Sequence, residues 1–231
     1  MAIWLFTLTL LLLGGILLGL SVYPSMLLLQ PLFHKGALGA SLALGLGFFT
    51  SGIAMLFWCA LFHNLLMLHL RPGRHPLTSL AAFRWALASS LYMLIKFTLG
   101  DFLMVIPLGT LYMRAVGAKI GRNVMINSKF IHDHGLISIG EGSLIGGDAV
   151  ISAHAAEGGH LLLSPIVIGK KCLIGQKSIL MPGVEVGDGA VVAAGAIVLK
   201  DTKIPAGEVW GGIPARCLRA AKAPISEPEP Q

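Results

Sequence analysis

Two long apolar stretches without a charged side chain open the chain. No Lys, Arg, Asp or Glu precedes Lys35, and none lies between Lys35 and Arg71. A helix that crosses a bilayer needs about 20 mainly apolar residues, so each stretch has room for one. We therefore predict two transmembrane helices, at about residues 3–23 and 38–62, within a membrane segment of residues 1–76.

A third apolar region, residues 77–117, differs because charges interrupt it. They are Arg84, Lys96, Asp101 and Arg114. Since charges are costly at mid-membrane, we predict helices that lie at the interface or form a re-entrant pair. Trp85 and Tyr92 suit the headgroup zone, where amphipathic rings settle. Two tilted spans with snorkelling cations remain the alternative.

From residue 118 the apolar runs give way to a repeat of six residues. The aliphatic positions of this register are Ile120, Ile126, Ile139, Ile145, Ile151, Ile168, Ile174, Leu180, Val186, Val192, Val198 and Ile204. A glycine often follows, and a small residue comes four positions later. Self-similarity of this kind marks a solenoid. We predict a parallel β-helix over residues 118–209, in which three units close a coil of 18 residues and the aliphatic side chains stack inside.

The pattern [LIV]-[G]-x-x-[small]-x over residues 118–219 resembles the left-handed β-helix (hexapeptide-repeat) acyltransferase superfamily. PGVEVGDGAVVAAGAIVLKD resembles the last coils of those enzymes, and WGGIPARCLR resembles their closing segment. The resemblance implies a left-handed coil, whereas the rule for parallel crossover connections would by itself predict a right-handed one. The lead-in from FRWALASS to RAVGAKIG resembles the membrane-attached C-terminal domains of Pls-type peptide synthetases in architecture. Residues 210–231 comprise the closing segment and a tail, ISEPEPQ, which we expect to be disordered.

One break in the register holds the main catalytic candidate. Ile151 and Ile168 are 17 positions apart, where the register allows 12 or 18, so part of residues 155–164 must leave the coil as a loop. The resemblance implies that a histidine at the base of this loop is the general base, which here is His154. Imidazole suits that role, because its pKa of about 6.5 lets it accept a proton at neutral pH. A hydrogen-bonding anchor and a metal ligand are the other interpretations of His154.

Four further residues are auxiliary candidates. His160 and Glu157 lie in the loop itself and are suited to contact substrate or solvent. His132 and His134 lie near a second slip, because Ile126 and Ile139 are 13 positions apart. They either line the same cleft from a neighbouring subunit or form a surface bulge.

The resemblance further implies a homotrimer with active sites between adjacent β-helices. The donor would be acyl-CoA or an acyl carrier protein, with no permanently bound cofactor. Donor-binding candidates are Gly175, Ala194, Gly195, Lys200, Trp210, Arg216 and Arg219. The turns at Gly175 and Gly195 are candidates for the backbone amides that stabilise the oxyanion.

The charge distribution and the cysteine content limit where the protein can be located and which partners it can bind. The net charge is +6, and the first 117 residues supply most of it, with six cations against one carboxylate. Arg71 and Arg74 follow the second helix, and basic loops stay cytoplasmic. We therefore expect the β-helix on the cytoplasmic side of the inner membrane, with membrane lipid as a partner. The soluble half lacks the basic face that nucleic acid would need, and the three cysteines match no disulfide or metal spacing.

These observations predict a membrane-anchored acyltransferase that modifies a hydroxyl or amine of a lipid-associated acceptor. A γ-carbonic-anhydrase-like enzyme is one alternative, because three histidines can bind a metal across a trimer interface. A non-catalytic β-helix scaffold is the other. We assign no residue as a metal ligand.

Overall fold

The computed structural model describes residues 2–103 and 106–221. The first half of this part is helical, with α1 (Ala2–Phe33), α2 (Gly36–Leu65), α3 (Leu80–Thr98), α4 (Gly100–Leu103) and α5 (Pro107–Ala115). A short turn at Lys35 folds α2 back onto α1. The hydroxyl of Thr50 on α2 donates to that of Ser25 on α1 at 2.9 Å. Hydroxyl pairs of this kind hold helices together where water is absent.

The first two helices are longer than predicted. The helix α1 runs on through Pro24 and Pro31, although its predicted end was at about residue 23. Proline does not end a helix whose freed carbonyl groups are satisfied by its surroundings. Three described helices are long and apolar enough to cross a membrane: Thr7–Phe33, Gly36–Leu65 and Leu80–Thr98. The third of these lies in the region predicted to be interfacial.

The helix α3 packs against α1 and α2 as well as against the second half of the chain. It begins at Leu80, and Ser79 caps it by accepting a hydrogen bond from the Ala82 N–H at 3.2 Å. On the inner side, the Tyr92 hydroxyl donates to the Lys129 carbonyl at 2.7 Å. On the outer side, Phe97 is 75% exposed. The helix α3 thus joins the two halves of the chain, and part of its remaining surface, at Met93 and Phe97, is apolar and exposed.

The second half winds into a parallel β-helix. Its coil strands are β2 (Lys119–Ile120), β3 (Met125–Ile126), β4 (Ile137–Ile139), β5 (Leu144–Ile145), β6 (Val150–Ile151), β9 (Ile166–Ile168), β10 (Leu173–Ile174), β11 (Ile179–Leu180), β12 (Glu185–Val186), β13 (Val191–Val192), β14 (Ile197–Val198), β15 (Lys203–Ile204) and β16 (Val209–Gly212). They form three sheets, in the orders β15-β12-β9-β4-β2, β16-β13-β10-β5-β3 and β14-β11-β6. Within a sheet the strands are parallel, and Ile174 pairs with Val192 one 18-residue coil later. The predicted parallel β-helix is confirmed.

The core follows the six-residue register. Ile145, Ile151, Ile174, Leu180 and Val192 have no exposed surface. The small positions are buried as well, namely Ser143, Ala149, Cys172, Ser178, Val184, Ala190 and Ala196. Each coil therefore contributes aliphatic side chains to a stacked interior, and burial of this apolar surface stabilises the solenoid.

The chain leaves the coil at the break as a β-hairpin. The antiparallel strands β7 (His154–Glu157) and β8 (His160–Leu163) join through Gly158 and Gly159, both with positive φ. A strand from the first half, β1 (Gly73–Pro76), adds to β8 and completes a three-stranded sheet. The expected loop is thus an ordered hairpin, and a segment between α2 and α3 extends it.

The last strand of the described chain, β17 (Ala215–Arg219), folds back antiparallel onto β16. It covers the C-terminal end of the sheet that contains β13 and β10. Residues 222–231, with the tail expected to be disordered, lie outside the described residues.

Candidate active site

The two breaks in the register lie side by side in one chain. Ile131 in the first break forms a parallel bridge with Ile151, just before the second. The His132 N–H donates to the Ile151 carbonyl at 2.8 Å. Residues 132–134 and His154 therefore lie on the same side of the coil within a single chain, and no neighbouring subunit is needed to bring them together.

His154 is held by a buried carboxylate, Asp133. The Nδ1 atom of His154 lies 2.6 Å from Asp133 Oδ2. The Asp133 side chain is 1% exposed, whereas that of His154 is 27% exposed. A carboxylate can only accept hydrogen bonds, so the proton sits on Nδ1 and the lone pair of Nε2 is left for another group. This is the arrangement that a general base requires.

Asp133 is itself fixed by two further donors. Its Oδ2 accepts from the Ala153 N–H at 3.0 Å, and its Oδ1 accepts from the indole Nε1–H of Trp85 at 2.9 Å. The backbone of Asp133 is in the left-handed region, with φ 57° and ψ 46°. Aspartate tolerates that conformation better than most residues do. The carboxylate is therefore pointed by its own backbone and anchored from two elements.

Trp85 brings the helix α3 into the site. Its ring centroid lies 4.8 Å from that of His154, with a tilted interplanar angle of 59°. The amphipathic ring of Trp85 predicted a position at the lipid headgroups. The structure places it half-buried between α3 and the β-helix, where it touches both members of the Asp133–His154 pair.

His132 and His134, the two auxiliary histidines of the first break, have different surroundings. The His132 ring centroid lies 6.2 Å from that of His154. Burial, followed by the nearby Lys96 ammonium, lowers the pKa of His132 to about 4. His134 is turned inward, with its ring 4.5 Å from that of Tyr92, and burial lowers its pKa to about 3. The interpretation of this slip as a surface bulge is therefore wrong for His134, which is buried.

His160 and Glu157, the two candidates in the break, lie toward the tip of the β7–β8 hairpin. The imidazole Nδ1 of His160 lies 2.9 Å from the Gly158 carbonyl, within the tip turn. Glu157 forms an ion pair with Lys200, a residue expected at the donor phosphates. The ion pair ties the hairpin to the coil, so both side chains already have a partner in this chain.

The backbone amides expected to stabilise the oxyanion are already used. The Gly175 N–H donates to the Val192 carbonyl at 2.8 Å, and the Gly195 N–H donates to the Gln176 carbonyl at 2.8 Å. A Cβ on Gly175 would lie 2.4 Å from the amide nitrogen of Ala194. Gly175 thus serves the close stacking of coils, and Gly195 and Ala194 form an exposed turn above it.

The remaining donor candidates lie at the closing end of the β-helix. Trp210 is half-buried, and its Nε1–H donates to Glu208 at 2.7 Å. Arg216 and Arg219 are exposed on β17. The structure therefore gives Trp210 a capping contact and leaves both guanidinium groups open to solvent.

Sequence reasoning missed Asp133 and Trp85 as members of the site. A carboxylate between two histidines, inside a register slip, was an available signal for Asp133. No comparable signal marked Trp85, because it lies 48 positions before its partner in the chain.

The chain is similar to known proteins that contain hexapeptide repeats. A repeat described as the hexapeptide repeat of succinyl-transferase matches residues 165–200. The delta-poly-L-ornithine synthetase of Acinetobacter baumannii is 35% identical over 159 residues, which are 66% of this chain and 11% of that protein. The galactoside O-acetyltransferase of Escherichia coli is 35% identical over 108 residues, 43% of this chain and 52% of that protein.

A mitochondrial γ-carbonic anhydrase of Arabidopsis thaliana is 38% identical over 96 residues, 38% of this chain and 33% of that protein. A solved galactoside acetyltransferase in complex with coenzyme A is 26% identical, has a TM-score of 0.44, and matches over 57% of this chain and 81% of its own. The chain spans about half or less of the length of these curated relatives.

The matches confirm the resemblance to the hexapeptide-repeat acyltransferases. The synthetase match is longer than the repeat of residues 118–219, so it includes part of the helical half. The resemblance to a peptide synthetase is therefore confirmed too.

Proposed function

We propose that this protein is a membrane-anchored acyltransferase. It moves an acyl group from acyl-CoA or an acyl carrier protein to a hydroxyl or amine of a lipid-associated acceptor, with His154 as the general base. The observation that carries the proposal is the Asp133–His154 pair, at 2.6 Å, beside a helix that exposes the apolar side chains of Met93 and Phe97.

The chemistry requires one proton to move twice. The acceptor gives its proton to His154 Nε2 as its oxygen or nitrogen attacks the thioester carbonyl. Asp133 stabilises the imidazolium that forms, as a carboxylate on the far nitrogen does in acyl-transfer enzymes. When the tetrahedral intermediate collapses, the carbon–sulfur bond breaks and the imidazolium protonates the departing thiolate. No covalent acyl-enzyme is needed.

The location of the site favours an acceptor in the membrane. In our proposal α1 and α2 span the inner membrane, α3 lies at its cytoplasmic surface, and the basic Arg71 and Arg74 keep the β-helix in the cytoplasm. Tyr92 on the inner face of α3 supports the interfacial position, since its hydroxyl is bonded to the coil. The acceptor would then approach His154 along the boundary between protein and lipid.

The outer surface of the β-helix fits assembly into a trimer of left-handed coils. On the sheet of β3, β5 and β10, the outward side chains Met125, Leu144 and Leu173 are apolar and exposed. Contiguous exposed apolar faces commonly mark protein interfaces. The sheet of β12 and β15 instead directs Glu185 and Lys203 outward, as an ion pair at 3.0 Å. We assign the apolar face to a second copy and the exposed closing end to the donor nucleotide.

A carbonic-anhydrase-like activity is the second candidate, favoured by the match to the plant enzyme. Within the described residues, however, no group of three or more His, Cys, Asp or Glu could hold a metal ion in one chain. Any such site would need donors from a second subunit. The zinc content of the purified protein tests this candidate directly.

The test of acyl transfer is release of free coenzyme A. Protein in nanodiscs receives acetyl-CoA or palmitoyl-CoA with a lipid extract, and a thiol reagent measures the product. We expect His154→Ala to abolish release, and His160→Ala, the same change near the hairpin tip, to preserve it. Equal rates for His154→Ala and the unmodified protein would refute the role of His154. An absence of release with every donor and lipid would favour a scaffold.

A further inference from the structure

Two ammonium groups meet at one aromatic ring where α3 crosses the coil. The Nζ atom of Lys96 lies 4.3 Å from the ring centroid of Phe130, and that of Lys129 lies 5.9 Å from the same centroid. One lysine comes from the interfacial helix and the other from the coil just before Asp133. Folding has thus brought two like charges together at the boundary between the two halves of the chain.

The protein supplies too little negative charge for this pair. Lys129 is paired with Asp101 at 2.5 Å, but that carboxylate is 74% exposed. Among residues 2–103 and 106–221, no ion pair involves Lys96, although its side chain is half-buried. A half-buried cation without a counter-charge is unfavourable, and contact with the Phe130 ring offsets only part of that cost. The arrangement is suited to an anion brought by a ligand.

The lysine pair lies close to the catalytic histidine. Lys96 is near enough to His132 to lower the pKa of that imidazole, after the larger effect of burial. The His132 ring in turn lies 6.2 Å from the ring of His154. Lys96 therefore neighbours His132, which in turn neighbours the general base.

The surface around the pair is apolar and exposed. Phe97 follows Lys96 directly, and Met93 and Phe102 are also at least half exposed. Polar ligands from solution gain nothing from such a surface, whereas acyl chains do. The neighbourhood combines a cationic site with a lipid-facing surface, which matches a lipid that has an anionic headgroup.

We propose that Lys96 and Lys129 bind the anionic headgroup of the lipid acceptor and so place its hydroxyl or amine at His154. This assignment rests on the proposed acyl transfer for its purpose, but the binding itself does not require turnover. The substrate class that follows is a lipid with a phosphate or carboxylate group close to the nucleophile. A zwitterionic lipid would lose part of the attraction, because its own cation repels both lysines.

Binding by the full-length protein tests the site. Protein in zwitterionic nanodiscs is titrated with dioctanoyl phosphatidic acid, dioctanoyl phosphatidylcholine, inorganic phosphate and coenzyme A. We expect phosphatidic acid to bind at least about tenfold more tightly than phosphatidylcholine or phosphate, and Lys96→Met to remove about a factor of ten. Lys96→Arg, which keeps the charge, should retain most of the affinity.

The matched control is Arg84→Met, which removes one exposed cation from the same helix. We expect it to change the affinity by less than twofold. Equal losses for Lys96→Met and Arg84→Met would mean general surface attraction and would overturn the site. Phosphate binding as tight as that of phosphatidic acid would overturn the lipid assignment, and competition by coenzyme A would assign the lysines to the donor.

The same variants separate this inference from the proposed function. If Lys96-dependent binding is present but His154→Ala leaves coenzyme A release unchanged, acyl transfer by His154 fails and the lipid site stands. If release depends on His154 but phosphatidic acid binds independently of Lys96, the lipid site fails and the proposed function stands.

Discussion

The hydrogen bond from Trp85 to Asp133 offers a sharp test of the proposed site. Trp85→Phe removes the Nε1–H that Asp133 Oδ1 accepts at 2.9 Å, while it keeps an aromatic ring near His154. Asp133 then has two of its three described donors, the Ala153 amide and His154. The change therefore removes one hydrogen bond that holds the Asp133–His154 pair, while His154 itself is retained.

The size of the effect follows from the burial of the carboxylate. A hydrogen bond to a charged group contributes about 1.5–3 kcal/mol, and Asp133 is almost completely buried, so water cannot replace the lost donor. The imidazolium depends on Asp133 in the transition state. If most of the free energy of this hydrogen bond is lost there, kcat falls by about 10- to 100-fold. The KM for acyl-CoA should change by less than about twofold, because Trp85 lies on the acceptor side in our proposal.

The assay is release of coenzyme A in nanodiscs, with kcat and KM measured separately. The thermal unfolding midpoint of the variant shows whether the fold is retained. A control, Trp58→Phe, removes an indole N–H that donates at 3.0 Å to the Leu20 carbonyl on α1. We expect that control to leave kcat unchanged. A Trp85→Phe enzyme with full kcat, or one in which only KM rises, would refute the positioning role.

Three further predictions concern Asp133 itself, His134 and Gly175. Asp133→Asn should lower kcat by about 10²- to 10⁴-fold, the usual contribution of an oriented base. Activity near that of the unmodified enzyme would disprove a catalytic role for the Asp133–His154 pair. Burial depresses the pKa of His134 to about 3. Its neutral form therefore stabilises the fold above pH 6.5, and this stability is lost as the pH falls toward 3. The loss is no more than about 1.4 kcal/mol per pH unit. His134→Gln should flatten that dependence in chemical denaturation, and an unchanged slope would contradict the assignment. Gly175→Ala should destabilise the β-helix by about 1–3 kcal/mol, because its Cβ would meet the Ala194 nitrogen. Gly19→Ala, with open space around it, should be neutral. Equal unfolding midpoints of the two variants, measured by circular dichroism, would rule out a packing role for Gly175.

Much of the fold could be predicted because the solenoid follows from a short repeat within the sequence. A six-residue spacing places Ile174, Leu180 and Val192 inside the coil whatever the rest of the chain does, and all three are buried. The break could be found by counting, since a spacing of 17 cannot be accommodated without an excursion. His154 followed from that count together with the resemblance to acyltransferases.

The ends of α1 were less predictable. Pro24 is a stop signal in water, but α1 continues to Phe33 against α2. The strand β1 carried no alternating pattern of its own, and it exists because β8 offers an edge to pair with. Both elements depend on a neighbour that is distant in the sequence or lies in another element.

The sequence by itself determined the repeat, its core, the position of the break and the apolar character of the first helices. These are periodic or cumulative properties, so many residues contribute to each signal. Only the tertiary structure decided that Asp133 orients His154, that Trp85 reaches the carboxylate from α3, and that Lys96 and Lys129 share one ring. Each of these is a single contact between distant segments, which depends on how the coil closes and how α3 packs on it. A contact of that kind contributes only a few kcal/mol and leaves no periodic trace in the chain.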